Sequence, residues 1–433
     1  MKDAIDFGSM EIPRLFRKLL IPTLLGMVFS AAFVITDGIF VGKGLGSDAL
    51  AAVNITAPIF LLTTGIGLMF GLGASVVASI HLSQGKVKVA RINITQAVVV
   101  SSLFLLLASV FVCMYAPEVS ACLGASERLQ PLASEYIYWF VPFLAFSSLL
   151  LSGMFFIRLD GSPKYAMWCN AIPAVINIVL DYIFIFILNM SVKGAAIATL
   201  LSRMFCSFII LYMLLNKEHT IYIDTYFKYH FDFATVKKIL QIGIPNGLEN
   251  GMFQMGKILV QRLVSTFGTA AIAAHAVAFS LTSIAVVPGM ALGLAILTVV
   301  GQCIGANDYQ QAKYYTKKLM IIAYLSTIVA AGILLVGVRY ILKLYSLPQA
   351  TANLAVSMVS LHCVFDFFIW PMAFSFPNAL RAANDATYTM IVSTFSMWTF
   401  RFALSYVFAL YLHMGVIGVW WAMIVDWIFR AIC

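Results

Sequence analysis

Long apolar runs, separated by short polar segments, recur along the whole chain. Two examples, 101–116 and 321–338, contain no charged residue. An uncharged run of roughly 20 residues is what one helical crossing of a bilayer requires. The pattern therefore predicts twelve membrane-spanning helices, at 14–43, 51–80, 92–115, 129–157, 164–188, 194–215, 236–265, 270–302, 316–338, 349–379, 386–411 and 415–432.

The composition agrees with this pattern. Of 433 residues, 62% are hydrophobic and 10% are charged, whereas an average soluble chain is about 25% charged. The first twelve residues are polar and do not resemble a signal peptide. The seven cysteines are scattered and form no C-x-x-C pair, so we expect neither a disulfide nor a metal site from them. The chain is predicted to be an all-α polytopic membrane protein.

The net charge of +9 has a topological explanation. With the N-terminus inside, 18 of the 27 Lys and Arg residues fall in predicted cytoplasmic segments, 5 in outer loops and 4 within spans. This asymmetry follows the positive-inside rule. It predicts a plasma-membrane protein with both termini in the cytoplasm, and it explains the charge without a nucleic-acid partner.

The chain contains an internal duplication. Laid over itself at an offset of about 223 residues, it shows a series of matches that keep register over most of each half. They include the dipeptide "IP" (21–22 and 244–245), Gly67 and Gly71 with Gly289 and Gly293, and Arg158, Tyr165 and Met167 with Arg381, Tyr388 and Met390. The G-x-x-x-G pattern in both second helices predicts close helix packing.

The duplication predicts two six-helix bundles. An even number of spans gives both copies the same orientation, so we expect a pseudo-two-fold axis along the membrane normal. The predicted organisation is an N-lobe at 1–215, a cytoplasmic linker at 216–235 and a C-lobe at 236–433. Two such lobes with a cleft between them are typical of an alternating-access transporter.

Four polar residues lie at one predicted depth in the N-lobe. Counted from the helix ends at about 1.5 Å per residue, Asp37, Asp181 and Thr199 lie roughly 10–14 Å below the outer surface. Asn177 lies one turn from Asp181. Their oxygens would suit Na⁺ or a proton shared between carboxylates. The alternative is structural: Asn177 and Thr199 join two helices, and the aspartates pair with Arg203 or another base.

The C-lobe does not repeat this chemistry. Val260 stands at the register of Asp37 and Leu404 at that of Asp181. The candidates for a substrate cleft are polar residues within the C-lobe spans: Glu249, Gln254, Lys257 and Asp366. Glu249 and Lys257 are two turns apart, so they could pair with each other or line the cleft, and the sequence leaves both readings open.

Three segments carry a resemblance to a known family. "VITDGIFVGKGLGSDALAAV" (34–53), "ALRAANDATYTM" (379–390) and "IGIPNGLENGMFQMGKILVQRLV" (242–264) resemble the multidrug and toxic compound extrusion (MATE) transporters. The last segment resembles the DinF-like and MepA-like bacterial branches. With the doubled six-helix plan, the resemblance extends over essentially the whole chain.

The resemblance implies specific roles. It implies an N-lobe cation site of Asp37, Asn177, Asp181 and Thr199, with Tyr136, or alternatively Tyr138, beside it. Pro22, which interrupts helical hydrogen bonding, matches the proline implicated in bending of the first helix. Glu249 and Asp366 stand about a turn from the register of the acidic pair in the NorM-like branch.

The predicted function is a monomeric antiporter. It exchanges H⁺ or Na⁺ for amphipathic, often cationic, small molecules across the lipid bilayer, with no cofactor. The alternative is a lipid-linked oligosaccharide flippase of the same superfamily, which a strongly basic cleft would favour. The chain has no H-E-x-x-H, G-x-S-x-G or ATP-binding loop motif, so we expect neither an enzyme nor a primary pump.

Overall fold

Helices account for nearly all of the chain in the computed structural model. The structure describes residues 11–433 except 124, 126, 128, 142–143, 162, 191, 224–231 and 344–347. The side chains of 31–51 and of 12, 15, 16, 54, 55, 57, 58, 61, 144, 145, 148, 163 and 269 also lie outside this description. The described residues contain no β-strand, so the all-α prediction is confirmed.

The chain divides into two compact units, Met1–Gly247 and Leu248–Cys433. The helices that begin in the first unit are α1 Ile12–Leu15, α2 Ile21–Ser83, α3 Val87–Met114, α4 Ala116–Cys122, α5 Gln130–Phe140, α6 Leu144–Leu159, α7 Pro163–Asp181, α8 Val192–Leu215 and α9 Phe233–Ser265. Two π-helical segments, Phe16–Leu20 and Tyr182–Ile187, precede α2 and follow α7.

The second unit begins within α9. Its further helices are α10 Thr269–Ala285, α11 Val287–Gly305, α12 Tyr309–Lys343, α13 Gln349–Asp366, α14 Pro377–Ala382, α15 Ala386–Ser396, α16 Leu404–Tyr406 and α17 Gly415–Ile432. Three π-helical segments, Pro371–Ser375, Met397–Ala403 and Val407–Tyr411, lie between them.

Seven helices of the described chain are long and apolar enough to cross a membrane, or eight with one pair bent by 68°. The seven are Leu62–Ser83, Val87–Met114, Lys164–Ile187, Val192–Leu215, Val287–Gly305, Tyr309–Lys343 and Gly415–Ile432, and the bent pair is Gln349–Asp366 with Pro371–Ala382. The other four predicted spans fall on the first part of α2, on α5 with α6, on α9, and on α15 with α16.

Helix α2 differs from the prediction of two separate spans. Its 63 residues remain helical through the predicted turn at 44–50. That turn contains two glycines but no proline, so every residue in it can still donate a helical hydrogen bond. The first two predicted spans therefore share one continuous helix.

The duplication is visible in the turns. Residues with positive φ recur at matching places in the two halves, where a left-handed backbone ends one helix before the next. The matching pairs are Gly85 (φ 74°) with Asn307 (59°), Gly161 (82°) with Asn384 (69°), and Asn189 (48°) with His413 (52°). Their separations of 222, 223 and 224 residues follow the offset in the sequence. A π-helical segment also precedes the third turn in both halves.

The glycines of the repeated G-x-x-x-G pattern lie at close helix contacts. A methyl group at Gly71 of α2 would lie 2.8 Å from Cα of Ser152 in α6. A methyl group at Gly293 of α11 would lie 2.5 Å from the side-chain nitrogen of Asn378 in α14. Both distances are shorter than an ordinary carbon contact, so each glycine lets two helices approach closely, and the contact at Gly71 is with a backbone atom.

The start of α9 packs within the first unit. A methyl group at Gly243 of α9 would lie 2.3 Å from the carbonyl oxygen of Met69, and one at Gly73 would lie 2.4 Å from that of Ile239. The boundary between the units, after Gly247, therefore falls inside α9 and twelve residues beyond the predicted end of the linker at 235.

The described first part of the linker is also held in the first unit. Asp160 accepts hydrogen bonds from the backbone N–H of Ile221 (2.9 Å) and lies 2.7 Å from His219 Nδ1. The Arg91 guanidinium lies 4.0 Å from the centre of the Tyr222 ring. Burial raises the pKa of the Asp160 carboxyl, and the hydrogen bonds from Ile221 and His219 oppose that rise.

Candidate functional site

The hairpin of α7 and α8 brings two of the predicted site residues together. The amide nitrogen of Asn177 donates to the hydroxyl oxygen of Thr199 over 3.4 Å, which is a long hydrogen bond. Both residues are buried. A left-handed Asn189 turns the chain, and a methyl group at Gly194 would lie 2.9 Å from Cβ of Met190, so the turn is tight.

Asp181 occupies the junction of two helix types. It is the last residue of α7, and the π-helical segment begins at Tyr182. Its side chain is fully buried, and it lies one helical turn after Asn177. Single π-helical turns within α-helices are frequent at functional sites, because they change which side chains share a face.

The two tyrosine candidates differ in environment. Tyr136 is buried and stacks on Phe140, with ring centres 5.2 Å apart. It belongs to an apolar cluster with Ile59 and Ile185, the latter within the π-helical segment that follows Asp181. Tyr138 is 48% exposed. The structure therefore places Tyr136, and not Tyr138, in the core beside the α7–α8 hairpin.

Two of the predicted N-lobe residues lie on α2. The backbone of Asp37 is part of this helix, but the Asp37 side chain lies outside the described residues. That Asp37 lies close to Asp181 therefore stays a prediction. Pro22 is buried at the second position of α2, two residues after the end of the π-helical segment Phe16–Leu20. Because proline lacks an N–H, the helical hydrogen-bond ladder is interrupted at this point.

The oxygens of this site are suitable for a small cation. Asn177 Oδ1 is buried and accepts no hydrogen bond from any described residue, and a buried oxygen of this kind is expected to have a partner. No group of three or more His, Cys, Asp or Glu residues is arranged to hold a metal ion in the described part of the chain. Amide, hydroxyl and carboxylate oxygens instead suit Na⁺ or a proton.

Glu249 belongs to an ion pair in the second unit. Both of its carboxylate oxygens lie 2.7 Å from Nη2 of Arg381 in α14, and both side chains are almost buried. Arg381 Nη1 also donates to Asn378 over 3.0 Å. Within the described residues Glu249 forms no ion pair with Lys257. Of the two possibilities that the sequence left open, direct pairing of Glu249 with Lys257 is therefore not the one observed.

Asp366, Gln254 and Lys257 have three different environments. Asp366 is fully buried and lies 2.7 Å from His362 Nδ1. Gln254 is partly buried on α9. Lys257 lines a cavity of about 490 Å³ within the second unit, and neither Gln254 nor Asp366 lines it. Their predicted contact with substrate is untested.

Sequence reasoning missed one intramembrane carboxylate, Asp426 in α17. It is fully buried, accepts from Arg430 Nε over 2.9 Å and from the Ser396 hydroxyl, and lies 3.7 Å from Arg401 Nη1. Asp426 lies in the last predicted span, where no polar candidate was predicted. The spacing of Asp426 and Arg430, four residues on one helix face, is the signal that could have identified the pair.

The family model described as MatE matches residues 22–183 and 245–407. The two matched segments begin 223 residues apart, so the model recognises each half. A probable multidrug resistance protein NorM of Thermotoga maritima is 25% identical over 284 residues, covering 64% of this chain and 60% of that protein. The probable multidrug resistance protein YoeA of Bacillus subtilis is 23% identical over 412 residues, covering 93% and 88%.

Solved structures show the same fold. The outward-facing conformation of a multidrug resistance MATE family transporter of the MOP superfamily superimposes with a TM-score of 0.92 at 23% identity. The superposition covers 100% of this chain and 96% of that one.

Proposed function

Since this chain belongs to the multidrug and toxic compound extrusion (MATE) family of membrane transporters, we propose that it is a cation-coupled antiporter. In this proposal H⁺ or Na⁺ enters a site of Asp37, Asn177, Asp181 and Thr199 in the first unit. An amphipathic, often cationic, organic molecule leaves the cell by alternating access. The protein lies in the bacterial inner membrane with both termini in the cytoplasm.

One observation carries the proposal: Asn177 bonds to Thr199 while Asp181 lies one turn away, and all three are buried within the membrane-spanning part of the first unit. A charged carboxylate at this depth costs from a few to more than ten kcal/mol if it is not neutralised. A bound Na⁺ or proton removes that cost. Occupancy of the site can therefore favour one conformation over another.

The start of α2 offers a place for the conformational change. Pro22 follows a π-helical segment, so the hydrogen-bond ladder of this helix is already irregular there. Asp37 lies fifteen residues further along the same helix. Neutralising Asp37 would change the energy of this helix relative to α7 and α8, which connects the cation to movement.

The experiment is transport in everted membrane vesicles. Ethidium accumulation is measured with an imposed Na⁺ gradient, with an imposed pH gradient, or with neither. We expect accumulation with one gradient and its loss in Asp181→Asn. The control is Asp160→Asn, which removes a carboxylate outside the predicted spans and should leave accumulation intact.

The outcomes also test the flippase alternative. A flippase would give no gradient-driven ethidium accumulation in the unchanged protein. Accumulation that persists without any cation gradient, or that is unchanged in Asp181→Asn, would contradict the coupling role of the first unit.

A further inference from the structure

The second unit contains a cavity that the proposed function does not use. Its volume is about 490 Å³, within the range of small-molecule sites, roughly 300–1,000 Å³. Four elements line it: α9, α10, the π-helical segment Met397–Ala403 and α17. Exposed residues of α9 and α10 form its rim, including Gln261, Ala276 and Phe279, while buried Trp420 and Met423 of α17 lie deeper.

The ionisable side chains described in the cavity wall are basic. Lys257 and Arg401 lie there with the His275 ring, and no aspartate or glutamate does among the described residues. Within the described residues Lys257 has no carboxylate at ion-pair distance. Its Nζ lies 4.7 Å from the ring centre of Phe253 and 5.3 Å from that of Phe279. Lys257 is therefore a cation held over aromatic rings in a membrane-spanning helix.

Arg401 and Arg430 share one counter-ion, Asp426. Asp426 accepts from Arg430 and Ser396 through Oδ1, and its Oδ2 lies 3.7 Å from Arg401 Nη1. One carboxylate thus serves two arginines, and Lys257 adds a third cation. The ring of Phe253 lies within 4.7–5.5 Å of all three cationic groups. This cluster carries a surplus of positive charge, and such a surplus in a low-dielectric site favours an anion strongly.

His275 and Trp420 complete a polar and aromatic wall. Trp420 Nε1 donates to His275 Nδ1 over 3.1 Å, and the two rings meet edge to face at 5.7 Å. The hydrogen bond fixes the indole in the cavity wall. Trp420, Phe279 and Met423 then present apolar surface beside the cations, which suits a ligand with an acid group at one end and an aromatic body at the other.

We propose that this cavity binds amphipathic organic anions. Lys257 and Arg401 hold the carboxylate or phosphate of the ligand, and Trp420 and Phe279 hold its aromatic body. The inference goes beyond the proposed function, because binding here requires neither a cation gradient nor movement between conformations.

The test is isothermal titration of the purified, detergent-solubilised full chain with three probes that share one ring system. They are 1-naphthoate, 1-naphthyl phosphate and 1-naphthylmethylammonium. We expect the two anions to bind and the ammonium compound to bind at least about tenfold more weakly, because a hydrogen bond between charged groups contributes on that order. Tighter binding of naphthoate or of naphthyl phosphate would identify a carboxylate or a phosphate as the preferred group.

Lys257→Met is the central variant. It removes a cation without leaving a carboxylate unpaired, so the fold should be retained. We expect the affinity for 1-naphthoate to fall about tenfold or more. Lys343→Met is the matched control: Lys343 is exposed and lies 5.7 Å from the Tyr340 ring, away from the cavity, and its loss should leave the affinity unchanged.

Ala276→Phe tests the same site without altering charge. Ala276 lies at the exposed rim, and the larger side chain should block entry of all three probes. Equal affinity of the three probes for the unchanged protein would overturn the proposal, as would full 1-naphthoate affinity in either Lys257→Met or Ala276→Phe. These binding measurements stand whether or not the vesicle experiment finds cation coupling.

Discussion

The two halves share a backbone plan and differ in buried charge. Their left-handed turns recur 222 to 224 residues apart, and the family model matches both. The first half buries Asn177, Asp181 and Thr199. At the same registers the second half has Phe400, Leu404 and Met423.

The cavity of the second half makes the contrast sharper. Met423 and Val260, which stand at the registers of Thr199 and Asp37, both line it. The described part of its wall holds the cations of Lys257 and Arg401, together with the His275 ring, which accepts a hydrogen bond from Trp420. Among the described side chains, the matching place in the duplicated scaffold therefore holds the carboxylate Asp181 in the first half and basic side chains in the second. Helix length and turn geometry can therefore persist while the buried side chains change, and under the two proposals above the sites of the two halves would accept ions of opposite sign.

The largest expected effect is on the acidic site. Asp181→Asn should reduce ethidium resistance in a pump-deficient host to the level of the empty vector. The asparagine amide has no negative charge that a bound proton or Na⁺ could neutralise. The minimum inhibitory concentration measures this, with an immunoblot of membranes as the check on abundance. Leu404→Asn places the same amide at the matching register of the second half and should retain resistance. If Asp181→Asn kept the resistance of the unchanged protein, Asp181 would be no more important for transport than Leu404, and the proposed difference between the halves would be wrong.

The next effect concerns the arginines at matching registers, Arg381 and Arg158. Glu249→Leu leaves Arg381 buried without its carboxylate and should cost about 3 kcal/mol of unfolding free energy. The double variant Glu249→Leu/Arg381→Met should regain most of that loss. Scanning fluorimetry of the purified protein measures the melting temperatures.

Arg158→Met provides the comparison in the first half. Arg158 is buried, its Nε has no hydrogen-bond partner among the described residues, and Gly26 stands at the register of Glu249. This variant should therefore lower the melting temperature less than Glu249→Leu does. A larger loss in Arg158→Met would contradict this comparison, because it would show that Arg158 stabilises the fold more than the Glu249 carboxylate does.

A smaller effect distinguishes the repeated glycines. The methyl group of Gly71→Ala meets the backbone of Ser152 at 2.8 Å, whereas that of Gly293→Ala meets the side-chain amide of Asn378. A backbone atom cannot move aside but an amide can rotate, so Gly71→Ala should cost about 1–3 kcal/mol and Gly293→Ala less. The gain in helix propensity is common to both. Equal melting temperatures would show that α2 and α11 tolerate a methyl group equally.

The smallest effect is the pH dependence of Asp160, whose register in the second half holds Ala383. Folding raises its pKa above the ordinary 3.8, chiefly through burial. Its stabilising contribution is therefore complete below the unfolded pKa and is lost as pH rises through the folded pKa. Relative to Asp160→Asn, the unchanged protein should melt at lower temperatures as pH rises from below 3.8 towards neutral.

Asp232 supplies a control of opposite sign. A hydrogen bond from the Thr235 hydroxyl lowers the pKa of Asp232. Its contribution is present above the unfolded pKa and is lost as pH falls. Relative to Asp232→Asn, the unchanged protein should therefore lose stability towards acid pH. A common direction for both variants would contradict the assignment at Asp160.

Part of the site could be anticipated because it rests on local geometry. A short turn joins α7 and α8, so counting residues from that turn predicted Asp181 and Thr199 at one height, with Asn177 one turn from Asp181. In the structure, Asn177 bonds to Thr199. The pairing of Glu249 with Arg381 spans 132 residues. It depends on how two distant helices are rotated about their axes, which a residue count does not give.

The sequence by itself determined the helical membrane class and the duplication, and it placed Asn177, Asp181 and Thr199 on one helical hairpin. These follow from the length of apolar runs, from the repeat and from spacing along one hairpin, all of which are local or periodic properties. Only the tertiary structure decided that Glu249 pairs with Arg381 and that Lys257 joins Arg401 in one cavity. Those outcomes depend on the packing of helices far apart in the chain, where small rotations decide which side chains meet.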